Sequence, residues 1–184
     1  FRYGWGRINV RRALEVIGSG QYLNAEVDNG GTMNHSIEVP AGVKQVRVMI
    51  YWTDYQGSTA AAKALVNDLN MSVTQPDGTT FSPWVLNPTP VVSLLNADAQ
   101  RGIDDLNNME QVTIDNPEAG TYQLKVEGTT VPIGPQQYYI VYEFVKDELT
   151  LTYPIGGESL ASGTQEVIRW DAFGETDNFK LEYS

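Results

Sequence analysis

Five acidic residues, Asp54, Asp68, Asp104, Asp105 and Glu110, stand in or beside segments whose Asn, Gly and Asp content marks them as loops. Carboxylates so placed have two readings. They are solvated turn residues, or they are hard oxygen donors to calcium. That ion takes about six to eight oxygens and would find carboxylate, amide and carbonyl groups along Asp104-Asp105-Leu106-Asn107-Asn108-Met109-Glu110. The ligand spacing of an EF-hand does not occur. Glycoside hydrolysis would need two acids facing across a cleft, and nothing in the spacing selects such a pair.

Nucleophilic catalysis fails on inventory. The single histidine, His35, lies in the polar strand context Asn34-His35-Ser36, so a surface or structural role is expected and the chain is expected to be catalytically silent. The absence of cysteine excludes disulfides, thiolate chemistry and zinc–thiolate sites. Trp84, Tyr138, Tyr139 and Tyr142 could form a glycan- or peptide-binding platform if exposed. Yet the alternation through Tyr138-Tyr139-Ile140-Val141-Tyr142 puts one face of that segment indoors, and core packing is the stronger reading.

With 23 acidic against 12 basic residues and a formal net charge of −11, the chain has no basic stripe to neutralise phosphates, which excludes nucleic acid as a partner. The same acidity suits a soluble secreted protein and favours carboxylates gathered around a hard cation. No apolar run is long enough to span a membrane, and no signal peptide is visible; an export signal is expected upstream of Phe1.

The elements that must position these groups read mostly as strands. Ten Tyr and four Trp among many Val, Thr, Asn and Gly favour strands and turns in this 184-residue chain. The exception is the start. There Tyr3-Gly4-Trp5-Gly6-Arg7 forms a glycine-punctuated turn into a helix over about 7–17, with Ile8, Ala13, Leu14 and Ile17 near helical spacing and Gly18 as its cap. So short a helix is marginal alone and needs a larger body for its apolar stripe.

Strands are then expected at Gln21–Val27 and Asn34–Val39, joined as a hairpin through Asp28-Asn29-Gly30-Gly31, and at Val43–Trp52 with Val43, Val46, Val48 and Ile50 inward. Leu69, Met71 and Val73 mark another strand, which ends at Gln75-Pro76-Asp77-Gly78. Val91–Leu95, Glu110–Ile114, Thr121–Glu127 and Gln137–Phe144 complete a set of about eight strands, the number of a jelly roll. Ser58–Leu65 is expected to be a loop or a single turn. Beyond Lys146, the segments Leu149–Pro154, Glu166–Trp170 and Phe179–Ser184 are candidate strands of a further module too short to close.

Two sets of motifs carry a family resemblance. Tyr3-Gly4-Trp5-Gly6-Arg7-Ile8-Asn9-Val10, followed by Ala13-Leu14, resembles the last helix of the subtilisin-like serine protease domain. Trp52-Thr53-Asp54, Leu65-Val66-Asn67-Asp68-Leu69, Asp104-Asp105-Leu106-Asn107-Asn108-Met109-Glu110 and Asn116-Pro117-Glu118-Ala119-Gly120-Thr121-Tyr122 resemble the C-terminal jelly-roll domain of oxidant-stable alkaline subtilases, related in architecture to the P-domain of proprotein convertases. Residues 147–184 resemble the beginning of a fibronectin-III or immunoglobulin-like module. The resemblance implies an all-β, antiparallel jelly-roll β-sandwich at 21–146, preceded by the end of a subtilase catalytic domain at 1–20 and followed by a partial module at 147–184.

It also implies calcium in the acidic loops, with Asp68 and Glu110 first among ligands, Asp104 and Asp105 next and Asp54 after them. Asn67 and Asn108 are alternatives as turn-holders. The expected function is that of a non-catalytic accessory region of a secreted or cell-surface, bacterial, subtilisin-like endopeptidase. It would brace the catalytic domain of the same parent chain or position its protein substrate, with the Ser/His/Asp triad upstream. The rival is a binding or adhesion module for glycan or protein.

Overall fold

A computed structural model describes residues 8–173 and 178–182. The elements are α1 (Val10–Gly18), β1 (Tyr22–Val27), β2 (Thr32–Val39), β3 (Val43–Tyr51), β4 (Asp68–Thr74), β5 (Thr80–Phe81), β6 (Trp84–Val85), α2 (Val92–Leu95), β7 (Gln100–Arg101), β8 (Met109–Asp115), β9 (Gly120–Thr130), β10 (Gln136–Lys146), β11 (Thr150–Tyr153) and β12 (Arg169–Asp171). The expected turn Tyr3-Gly4-Trp5-Gly6-Arg7 lies outside the described residues.

Alternation writes the inner faces of the strands. Val46, Val48 and Ile50 of β3, Leu69, Met71 and Val73 of β4, and Tyr122, Leu124 and Val126 of β9 are buried, and their neighbours point outward. Val43 is also buried although it breaks the period of two; a bulge against Val145 and Lys146 of β10 absorbs the extra residue. The result is two antiparallel four-stranded sheets, ordered β1-β10-β3-β8 and β2-β9-β4-β5, whose inner faces share one hydrophobic core. Successive long strands fall in opposite sheets, which is the jelly-roll connection.

That connection corrects the expected hairpin. β1 pairs with β10 and β2 with β9, so Asp28-Asn29-Gly30-Gly31 turns a corner between sheets. Gly30 N–H donates to the Gly128 carbonyl at 2.7 Å, and Gly128 N–H donates to Gly31 at 3.0 Å. This tie to β9 replaces hairpin closure. A Cβ on Gly128 would fall onto the Asp28 carbonyl oxygen, so the corner requires glycine there.

Val91–Leu95 is not a strand. Pro88 and Pro90 offer no amide hydrogen to a ladder, and no strand lies alongside. Leu94 and Leu95 instead donate to the Val91 carbonyl at 3.0 and 2.9 Å, forming the short α2. The helix cap also moves. Gly20, at φ +69°, is the left-handed residue, with Gly20 N–H to the Ile17 carbonyl and Gln21 N–H to the Val16 carbonyl, while Gly18 stays helical. After the sandwich, β11 and β12 form a two-stranded ribbon. Residues 178–182 are irregular rather than a third strand, and Tyr183 and Ser184 lie outside the described residues.

Candidate functional site

Three of the sequence motifs meet at one end of the sandwich. The Trp52 indole is fully buried and donates to the Asn67 carbonyl at 2.9 Å, while Asn108 Nδ2 donates to the Trp52 carbonyl at 2.7 Å. Asp54 accepts from Val66 N–H and Asn67 N–H at 2.7 and 2.9 Å, stapling the loop before β4. Asn67 Nδ2 donates to the Ile133 carbonyl at 2.6 Å and to Gln136 Oε1 at 2.7 Å. Asn67 and Asn108 therefore act as turn-holders, and both oxygens of Asp54 are occupied by backbone amides.

The other acids lie nearby with different degrees of commitment. Asp104 is buried; its carboxylate accepts from Leu106 N–H, Asn107 N–H and Asn107 Nδ2 at 2.9, 3.1 and 2.7 Å. It shapes the turn before β8. Asp105 is exposed, and its nearest cation is Lys63 Nζ at 3.5 Å. Asp68 and Glu110 are different. Only 8% and 1% of their surfaces are exposed, and Asp68 Oδ1 and Glu110 Oε1 have no hydrogen-bond partner among the described residues. Asn70 Oδ1, on β4 two residues beyond Asp68, is also unpartnered.

Glu110 sits on the inward parity of β8 with Val112 and Ile114, and its Oε2 accepts from Met71 N–H at 2.6 Å. Burial pushes its pKa up to about 8, and the charges of Asp104 and Asp68 push the same way. Asp68 is raised by burial as well, opposed by Lys63, whose Nζ is 3.6 Å from Asp68 Oδ2. Burial therefore disfavours negative charge at this edge, and Lys63 is the cation beside Asp68.

The unpartnered atoms are carboxylate and amide oxygens with no imidazole or sulfur among them, a donor chemistry that suits calcium. Among the described residues no three or more His, Cys, Asp or Glu side chains form a ready metal cage. A cation here would complete its shell with backbone carbonyls and water. Lys63 and Asn70 were not singled out by sequence reasoning, and only their flanking position near Asp68 could have drawn notice.

A second polar cluster holds the helix. Asn9 caps α1 by accepting from Arg12 N–H at 3.1 Å. Arg12 donates twice to Asp171 of β12, at 3.0 Å each, and lies 3.5 Å from Glu143 of β10; Arg11 reaches Asp171 at 2.5 Å. These guanidiniums hold the Asp171 carboxyl below its usual range, the Arg12 bonds most of all. A groove of about 400 Å³ runs between α1, β10 and β12. With its arginine face held inward, α1 presents Val10, Leu14 and Ile17 outward at 60%, 64% and 63% exposure.

The aromatic candidates divide. Tyr138 is buried, its hydroxyl 2.7 Å from His35 Nε2, and Tyr142 is half-buried beside Phe144. Trp84 lies under the Arg101 guanidinium at 3.7 Å. Tyr139 is exposed, in register with exposed Tyr51 across β10 and β3.

Fold and site together define an antiparallel β-sandwich whose one histidine is hydrogen-bonded to a buried core tyrosine. The chain belongs to the bacterial pre-peptidase C-terminal domain family, which it matches over residues 31–128. A domain of this family is typical of the C-terminal accessory region of secreted proteases and occurs in those of bacteria. Among curated proteins the chain is similar to two from Dictyostelium discoideum. It is 24% identical over 129 residues to the serine protease/ABC transporter B family protein tagA, and 31% identical over 93 residues to tagB. These alignments take in 70% and 50% of this chain but only 7% and 5% of those proteins. Among solved structures it is similar to the pre-peptidase C-terminal domain of Bacillus anthracis collagenase, at 12% identity and TM-score 0.36 over 66% of this chain and 87% of that one. The Clostridium perfringens CspB protease is similar at 9% identity and TM-score 0.38, over 67% and 25%. No helix among the described residues is long and apolar enough to cross a membrane.

Proposed function

We propose that this chain is the non-catalytic accessory region of a secreted subtilisin-like serine endopeptidase. The sandwich braces the protease body through α1, and calcium held by Asp68 and Glu110 reinforces it. The observation that carries the reading is the orientation of α1: its polar face is fastened to β10 and β12, while Val10, Leu14 and Ile17 form an apolar stripe that no other described residue covers. A helix of this length gains its stability from burying such a stripe. In this reading residues 1–20 end the catalytic domain, 21–146 form the brace and 147–184 begin a further module. The test is Leu14→Asp with Ile17→Asp in the intact protease. The expected result is a lower melting temperature and faster autolysis with the isolated sandwich unaffected; an unchanged protease overturns the reading.

Asp68 and Glu110 would hold calcium directly, with Asp104 and Asp105 at the rim. The ion would give a partner to the buried oxygens Asp68 Oδ1 and Glu110 Oε1. Chelation should lower the melting temperature and added calcium restore it, because a ligand bound only by the folded form stabilises it.

A second reading, a module that binds glycan or protein, is favoured by the outer face of the first sheet. There Tyr139 and Tyr51 stand exposed in register, with Tyr22 on the neighbouring β1. Retention of the purified chain on a glycan or protein matrix, lost in Tyr51→Ala with Tyr139→Ala, would favour it.

A further inference from the structure

We propose that Lys63 is the resident counter-ion of the Asp68–Glu110 site, displaced when calcium enters, and that it sets the site's selectivity for divalent over monovalent cations. This rests on the calcium reading above and names the residue that regulates it. Lys63 Nζ lies 3.6 Å from Asp68 Oδ2 and 3.5 Å from Asp105 Oδ2, so one ammonium spans a buried and an exposed carboxylate. It reaches only the outer oxygen of Asp68. The inner Asp68 Oδ1 and Glu110 Oε1 stay without partners, although their residues are more than nine-tenths buried. The lysine therefore neutralises the mouth of the site and leaves its interior unmet.

The Lys63 side chain has room to swing outward. Residues 52–67 join β3 to β4 without helix or strand, and the Lys63 side chain is about one-third exposed. Near it, Ala61 N–H to the Ser58 carbonyl closes a single turn, and Ala60 takes φ +100°. A long lysine stem on such a segment swings into water at little cost.

Charge then decides which ion displaces it. Sodium carries the same single charge as the ammonium it would replace and must also shed water, so exchange gains nothing. Calcium brings twice the charge and accepts irregular oxygen shells, which lets it use the inner oxygens. Magnesium demands octahedral geometry and gives up water reluctantly, which suits two fixed inner oxygens poorly. The lysine thus acts as a threshold that a divalent, readily dehydrated cation passes.

The test is isothermal titration calorimetry of the whole chain, stripped with EGTA and titrated with calcium, magnesium or sodium chloride, for the native sequence, Lys63→Met, Lys63→Arg and Glu110→Gln. Lys63→Met should bind calcium about tenfold more tightly, the scale of one or two partly exposed ion pairs released from competition. Its melting temperature should become responsive to sodium. Lys63→Arg should stay within about twofold of the native affinity, and Glu110→Gln should lose calcium binding. Unchanged or weaker calcium binding in Lys63→Met, or tightening in Lys63→Arg, overturns the proposal. If neither the native chain nor Lys63→Met takes up calcium, the underlying site assignment falls instead.

Discussion

Glu110 of β8 accepts a 2.6 Å hydrogen bond from the backbone N–H of Met71 on β4, so a side chain from one sheet fills the open edge of the other. β5 covers β4 only at Val73 and Thr74, and the Met71 amide would otherwise be a buried donor without a partner.

Because burial raises the Glu110 pKa to about 8, the neutral isostere Glu110→Gln should cost less than about 1 kcal/mol in the presence of chelator near neutral pH. It retains the acceptor for Met71. In calcium, the same variant should lose the rise in melting temperature that the native chain gains. Differential scanning fluorimetry with EGTA and with calcium separates the two effects.

Gly128→Ala should destabilise the sandwich by about 2–4 kcal/mol, because the added methyl group meets backbone rather than a movable side chain. Urea unfolding followed by tryptophan fluorescence measures it. The neighbouring Gly30, with open space around its Cα but φ +71°, should tolerate Asn better than Ala.

Arg12→Met should free the helix without touching the core. Both Arg12 and Asp171 are less than one-third exposed, and losing their paired hydrogen bonds should cost helix docking about 1–2 kcal/mol. Hydrogen exchange of amides in Val10–Gly18 should accelerate while the melting temperature of the sandwich stays within about 2 °C.

Acid should weaken the fold partly through His35. Burial lowers its pKa below 6.5, so the folded chain favours neutral imidazole and the unfolded chain binds more protons below that value. Its share of stability is complete above 6.5 and is lost as pH falls below that value and through the lower folded pKa. His35→Gln, which cannot titrate, should flatten the stability difference between about pH 7.5 and about pH 5.5 in urea melts.

Inner faces were legible wherever a half-buried strand alternates: Val46, Val48 and Ile50, or Leu69, Met71 and Val73, announce their sheet by parity alone. Partner choice was not. Asp28-Asn29-Gly30-Gly31 suits a hairpin as well as a corner, and the hydrogen bonds that decide between them come from Gly128, far along the chain. Gly18 and Gly20 flank one serine, and only the geometry of the helix end assigns the positive φ to Gly20. At the acidic edge, Asp54 and Asp104 read alike in sequence with Asp68. The difference is how many backbone amides reach each carboxylate, which depends on folded loops. Glu110 carried a stronger signal, an acid on the same parity as Val112 and Ile114. Asp171 carried none, since its arginine partner lies 159 residues away.

β10 is the last long strand of the sandwich to be synthesised, yet it lies between β1 and β3. A nascent chain that has emerged through β9 therefore has two outer pieces of a sheet with a gap where the middle belongs, and β1 has nothing to pair with. The second sheet and the β3–β8 pair can form before then, but the first sheet is complete only when β10 arrives and closes both seams. Until then the first sheet has two open seams, one along β1 and one along β3, and in the finished fold a single strand covers both.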